Sequence, residues 1–363
     1  MNRRMFTAVL ALLVSVSLVL AQTPSPKNVI LMIGDGMGVA QLTAGRTHKG
    51  TLELEKFTSG GLSITHAAGD NYITDSAAGA TAYACGTKTL NGMVAVAPDG
   101  TRVRTLSELA KEKGKKAGVV AACSVTHATP ACFLAHVASR GSQFEIAEQI
   151  ATSGVDVLLG GGWGWFLPTE KGGRRTDGKD LRSVMESRGF FWVTTPEEFF
   201  AADLGQTEKM VGLFADNHVG PAPERNPSLA AMTETALTVL SRSGKGFFLM
   251  VEGSQIDWAS HDNKSDESAI EAADFDNAIG LARRFAERDR STLIVVTADH
   301  ETGGYAIVGG SLADSTVTGK FASTGHTATM VPLFAFGPGA ERFSGILQND
   351  EIGRRLQAVV GGK

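Results

Sequence analysis

The chain has 363 residues, 43% of them hydrophobic and 20% charged, an ordinary globular composition that is long enough to bury a large core in one α/β domain. A formal charge of −4 without basic clusters excludes a nucleic-acid footprint. Three cysteines, Cys85, Cys123 and Cys132, leave at least one thiol unpaired and do not have zinc-ribbon spacing; the apolar settings of Cys85 and Cys123 favour buried free thiols.

The chain opens with Met-Asn-Arg-Arg, followed by an apolar run from Met5 to Leu20 and a small-residue cleavage pattern that ends at Ala21. Residues 1–21 therefore read as a secretory signal peptide. The run is too short to span a bilayer and is interrupted by Ser15 and Ser17. The mature protein, residues 22–363, is expected in the periplasm or outside the cell, with no membrane anchor after cleavage.

Short apolar runs bounded by glycine or polar turns then recur: Val29 to Ile33, Ala117 to Ala122, Val155 to Leu159, Phe247 to Val251, Leu293 to Thr297 and Val331 to Phe336. Runs that are apolar on both faces suit buried parallel strands. Helical patterns lie between them. Phe144, Ala147, Ile150 and Ala151 precede Gly154, and Leu229, Met232, Leu237 and Leu240 precede Gly244. The alternation predicts a layered α/β fold, with a large, mostly parallel central sheet flanked by helices on both faces. The Gly- and charge-rich stretch from Gly160 to Gly178 opens a surface excursion expected to run to about residue 225.

In such sheets ligands gather beyond the carboxyl ends of the strands. Four of the runs are followed at once by candidate groups: Asp35; His127 and Thr129; Glu252 and Asp257; Asp299 and His300. Asp35 sits in the turn Gly34-Asp35-Gly36-Met37-Gly38, where missing side chains permit close approach of an ion. Asp257 and His261, spaced i,i+4, share one face of a helical turn; the pair suits zinc, with an ordinary i,i+4 surface pair as the lesser alternative. His326, just before the last run, could supply a further nitrogen. Asp35, Thr129 and Glu252 form an all-oxygen set suited to magnesium. Two zinc-like sites about 4 Å apart would make the clamp used for in-line displacement at phosphorus.

Thr74-Asp75-Ser76-Ala77-Ala78-Gly79 begins a helix of small residues whose first turn leaves N–H groups free for a phosphate, with Ser76 as the nucleophile. On its own, the segment reads better as a helix capped by Asp75 or Ser76. No Gly-x-Ser-x-Gly elbow surrounds Ser76, which argues against an esterase triad. Arg140 could grip phosphate oxygens through its fork of donors, although by sequence it is one arginine among many.

Taken together, these segments closely resemble the alkaline phosphatase family over nearly the whole mature chain. The Thr74-Asp75-Ser76-Ala77 and Thr297-Ala298-Asp299-His300-Glu301-Thr302-Gly303-Gly304 segments are specific in combination. The resemblance implies hydrolysis of small-molecule phosphate monoesters through a phosphoserine at Ser76. It assigns one zinc to Asp257, His261 and His326, and a second to Asp35, Asp299 and His300, with Ser76 joining the second. Magnesium would take Asp35, Thr129 and Glu252, while Arg140, oriented by Asp75, would hold the phosphate. His127 and Trp258 occupy two positions near the metals where some bacterial members have Asp and Lys, and with His127 the resemblance implies a third site that either leans towards another zinc or binds magnesium more loosely. The resemblance also implies a homodimer, here with a reduced interface because the chain is short for the family. Two rival readings are a phosphodiesterase, sulfatase or phosphomutase on the same scaffold, and a secreted metal- or phosphate-binding protein without turnover.

Overall fold

The computed structural model describes residues 25–362, and the expected signal peptide lies outside them. A sheet of ten strands forms the centre of the molecule. In chain order its strands are β1 (Asn28–Gly34), β2 (Ser59–Ile64), β3 (Lys116–Ser124), β4 (Val157–Gly161), β5 (Phe191–Val193), β6 (Met210–Leu213), β7 (Phe247–Gly253) and β8 (Thr292–Thr297). The short strands β9 (Glu301–Thr302), β10 (Ala306–Ser311), β11 (Thr316–Lys320) and β12 (His326–Thr327) form two small ribbons outside it, before β13 (Val331–Phe336) and β14 (Gly345–Gln348) rejoin it.

The spatial order is β14-β2-β13-β8-β1-β7-β3-β4-β6-β5. Five of the six apolar runs form parallel strands, as their continuous apolar character predicts. The sixth, Val331–Phe336, is a correction: β13 pairs antiparallel with both β8 and β2. The reason lies just upstream. His326 sits at the carboxyl ends of the parallel strands, so the chain enters β13 from that end and runs back.

Side chains sort alternately along each strand. Val29, Leu31 and Ile33 face one core layer, and Ile30 and Met32 face the other. The first layer is covered by α2 (Ser76–Cys85), α3 (Leu106–Glu112), α5 (Gln143–Thr152), α6 (Leu181–Ser187) and α11 (Asn349–Val360). The second is covered by α8 (Leu229–Ser241) and α10 (Ser265–Asp289), with α1 (Val39–Lys49) against α10. Both faces are therefore buried, which is what the unalternating runs require. Residues from 162 to 225 supply α6, β5, α7 (Pro196–Phe200) and β6, and the two strands extend one edge of the sheet.

Two further helices matter for position: α4 (Ala128–Ala131) follows β3, and α9 (Gln255–His261) follows β7. Cys85, Cys123 and Cys132 are all buried free thiols. Among the described residues, no helix is long and apolar enough to cross a membrane.

Candidate active site

Two trios of metal-binding side chains meet beyond the carboxyl ends of the central strands. Asp257 and His261 project from one face of α9, and β12 brings His326 to them. His261 Nε2 is 3.3 Å from Asp257 Oδ2, His326 Nε2 is 3.6 Å from Asp257 Oδ1, and the two imidazole nitrogens are 3.2 Å apart. The second trio is Asp35, after β1, with Asp299 and His300, after β8. His300 Nε2 lies 3.4 Å from Asp35 Oδ1 and 3.3 Å from Asp299 Oδ2. A tetrahedral ion with bonds of roughly 2.0–2.1 Å separates neighbouring ligand atoms by about 3.4 Å. Both trios have that spacing, and they abut: the rings of His300 and His326 stack with centroids 3.5 Å apart.

Each imidazole is held through Nδ1 so that Nε2 faces inward. His261 Nδ1 contacts the Thr324 carbonyl at 2.5 Å and His326 Nδ1 the Thr74 carbonyl at 2.9 Å, both of which can only accept. Thr302 Oγ1 donates to Asp257 Oδ1 and so accepts from His300 Nδ1, 3.2 Å away. Fixing the distal nitrogen in this way sets the tautomer a cation needs. Thr302 was not singled out from sequence, although it stands two residues after His300 in the segment that carries the resemblance. Its hydroxyl joins one trio to the other.

Burial leaves these groups electrostatically unsatisfied. Asp35 and Asp299 are fully buried, and Asp35 Oδ1 and Asp299 Oδ2, the oxygens that face His300, have no hydrogen-bond partner. Desolvation, then the charges of Asp299, Asp257 and Glu252, hold Asp35 well above the usual carboxylate range. Desolvation and Asp257 raise Asp299 to about 6. Burial lowers His300 to about 4, against the pull of Asp257 and Asp75. His261 moves the other way, to about 9, because it is hydrogen-bonded to Asp257. Buried oxygens without donors, facing the neutral imidazole nitrogen of His300, are the donor set of a divalent cation. The residues present therefore fit two zinc-type ions.

The hydroxyl of Ser76 is brought to the second trio, with Oγ 3.2 Å from His300 Nε2. Ser76 is the first residue of α2, and Asp75 caps the helix by accepting from Ala78 N at 2.9 Å. The cap reading and the site reading are thus both met, by different atoms. The other carboxylate oxygen of Asp75 accepts from Arg140 Nη1 at 3.0 Å and from Gly92 N at 3.0 Å, fixing the guanidinium beside the start of α2. Burial would lower the Arg140 pKa, but Asp75 more than offsets it, so the cation is held firmly charged. No residue of α2 is exposed, which presses the helix between the sheet and α11.

The oxygen set lies next to these groups. Thr129 Oγ1, in α4, is 3.5 Å from Asp35 Oδ2, and Glu252 ends β7, fully buried, with Oε1 unpartnered. Burial raises Glu252 to about 7. His127, at the N-cap of α4, lies 3.2 Å from Arg140 Nη2 through Nε2 and stands edge-on to Trp258, ring centroids 5.9 Å apart. Burial, then Arg140 and His218, lower His127 to about 3. His218, not foreseen from sequence, packs edge-on against both rings.

The alkaline phosphatase family model matches residues 26–319. The chain belongs to the alkaline phosphatase family. Alkaline phosphatase 4 of Bacillus subtilis is 34% identical, over 90% of this chain and 87% of that protein. The Escherichia coli alkaline phosphatase is 31% identical, over 93% of this chain and 86% of that protein. Among solved structures, the alkaline phosphatase of the Antarctic bacterium TAB5 has a TM-score of 0.85 and 39% identity, covering 93% of this chain and 98% of that one. A variant of the Antarctic enzyme in which one histidine is replaced by aspartate has bound magnesium. The chain is thus a metal-binding phosphatase of this family.

Proposed function

We propose that the protein hydrolyses small-molecule phosphate monoesters in two steps, through a phosphoserine at Ser76. The observation that carries the reading is the position of Ser76 Oγ, 3.2 Å from His300 Nε2 and at the N-terminus of a helix flanked by Arg140. The Streptomyces griseus relative named streptomycin-6-phosphate phosphatase, 33% identical over 93% of this chain, supports the monoester class.

Asp257, His261 and His326 would hold one zinc, and Asp35, Asp299 and His300 the other, with Ser76 beside it. Asp35, Thr129 and Glu252 would hold magnesium. When bound, these ions supply Lewis-acid stabilisation of the attacking and leaving oxygens and lower the pKa of an adjacent hydroxyl. The chain's own groups do the rest. Arg140, fixed by Asp75, binds two non-bridging phosphate oxygens and neutralises charge as it spreads over them. The free N–H groups at the start of α2 add donors at the same place. Ser76, held on a rigid buried helix, needs little motion to reach phosphorus in line with the leaving alcohol. Secretion and a homodimeric assembly accompany this reading.

Incubation with an aryl phosphate, acid quench and peptide mass spectrometry test the proposal. The expected product is a phosphorylated peptide containing Ser76, absent from Ser76→Ala. Turnover without that peptide in the wild-type protein would sink the mechanism, and a faster rate on a matched diester would sink the substrate class.

A further inference from the structure

His326 comes to its trio on a segment with no buried residue from 321 to 330, whereas Asp35, Asp299 and His300 are fully buried. Strand β12 has two residues and pairs only with the two residues of β9, Thr327 opposite Glu301 and His326 opposite Thr302. A ribbon that short has little stability of its own. Polar contacts must therefore fix His326, and the side chain of Glu301 gathers them. Glu301 is buried, 4% exposed, and accepts four hydrogen bonds from neutral donors. Its Oε2 accepts from Thr327 Oγ1 and from Gly304 N at 3.1 Å. Its Oε1 accepts from Tyr305 N at 3.0 Å and from Gln41 Nε2 at 3.2 Å. Gln41, fully buried in α1, extends the set, because the same Nε2 donates to the Thr302 carbonyl at 2.7 Å and lies 3.4 Å from Ser260 Oγ in α9. A Cβ on Gly38 would collide with Glu301 Cγ, so the turn after Asp35 packs directly on this side chain. Helix α9, which supplies Asp257 and His261, and strand β12, which supplies His326, are thus linked through one carboxylate–amide pair.

We infer that Glu301 is a positioning residue for the zinc of Asp257, His261 and His326: it holds the His326 strand in ligand position through Thr327 and ties that strand to α9 through Gln41. The inference rests on the reading above that this trio binds zinc. Glu301 touches no reacting atom and acts only through the ligands it aligns. Partners of this kind set metal affinity by orienting the groups that bind the ion. Loss of the Glu301–Thr327 contact should therefore loosen this one ion. The ion of Asp35, Asp299 and His300 should be spared, because burial holds its ligands.

Zinc release is the readout: holoenzyme loaded with zinc in excess magnesium is mixed with a chromogenic chelator and followed to completion. His326→Ala identifies the phase that belongs to this trio by removing it. Thr327→Val and Glu301→Gln should each release one equivalent per chain on the order of 10- to 100-fold faster than wild type, with the other equivalent unchanged. Thr327→Ser, which keeps the hydroxyl, should behave as wild type. The double variant should be no faster than the faster single variant, since both changes break one contact. Wild-type release in both single variants, equal acceleration of both ions, or Thr327→Ser as fast as Thr327→Val overturns the role. If Glu301→Gln does not fold, the two Thr327 variants decide the matter. The two readings fail separately. Selective release in a chain that yields no phosphoserine leaves the role of Glu301 standing and removes the mechanism, whereas a phosphoserine with uniform release does the reverse. A wild-type chain that takes up no zinc overturns both.

Discussion

Ser76 Oγ and His300 Nε2 stand 3.2 Å apart although 224 positions separate them in the chain. The contact joins the start of α2 to the end of β8 and places the hydroxyl within the ligand sphere of Asp35, Asp299 and His300. Replacing Ser76 by Ala should leave the zinc content unchanged and lower kcat on an aryl phosphate by about a thousandfold or more. Metal analysis beside steady-state kinetics checks both halves, and a small loss of rate would remove Ser76 from the chemistry.

Asp75 has two duties, carried by different oxygens: one caps α2 and the other anchors Arg140. Serine is a good N-cap without a charge, so Asp75→Ser should keep the melting temperature close to wild type while freeing the guanidinium. KM for the monoester and the inhibition constant of inorganic phosphate should both rise, on the order of tenfold. Asp75→Ala should show the same kinetic change and lose about 1 kcal/mol of stability as well. Thermal melts alongside phosphate inhibition separate the two duties.

Gly36 has φ of +70°, and a Cβ there would lie 2.8 Å from the Asp257 Cα. The glycine lets the turn carrying Asp35 pack directly on α9. Gly36→Ala should push the two trios apart, with weaker zinc retention during dialysis and a rate loss on the order of a hundredfold. Unchanged zinc content and rate would show that the turn tolerates displacement.

Removing the ions leaves Asp35 Oδ1 and Asp299 Oδ2 buried without a partner. Chelation should therefore lower the melting temperature by several degrees, and added zinc should restore it. Calorimetry before and after chelator treatment reads this. A melting temperature indifferent to chelator would mean that the trios hold no ion.

Lys88 provides a pH signature away from the site. Burial lowers it from the ordinary 10.5 to about 8, while Nζ donates to the His66 carbonyl and to Asn349 Oδ1. The folded protein sheds this proton before the unfolded chain does. Its contribution to stability therefore rises as pH increases from about 8 to 10.5 and is constant below that window. Lys88→Met should flatten that rise. Denaturant midpoints at pH 7.5, roughly one half-unit below the window, and near its top would show it.

The central strands were legible because they are apolar on both faces, and Val29 to Ile33 and Leu293 to Thr297 are each followed at once by candidate ligands in the sequence itself. The direction of β13 was not legible, since continuous apolarity carries no sign of direction. Strand β2, Ser59–Ile64, contains Gly60 and Gly61 and has no apolar run to announce it. In the site, Asp257 and His261 were readable from helical spacing, whereas Arg140 and His326 stood out only through resemblance. Thr302 and His218 were missed for a common reason. Asp257 and Trp258, against which they stand, lie some forty positions away along the chain, and a contact made at that separation leaves no local pattern.

The two trios draw on Asp35, behind the first strand of the sheet, and on His326, just ahead of its penultimate strand. No early portion of the polypeptide contains a working subset of these groups. Contacts of such long sequence separation form late, after many loops have closed. A nascent or proteolytically shortened chain would remain inert towards phosphate esters, so the onset of turnover is itself a chemical clock for the completion of folding.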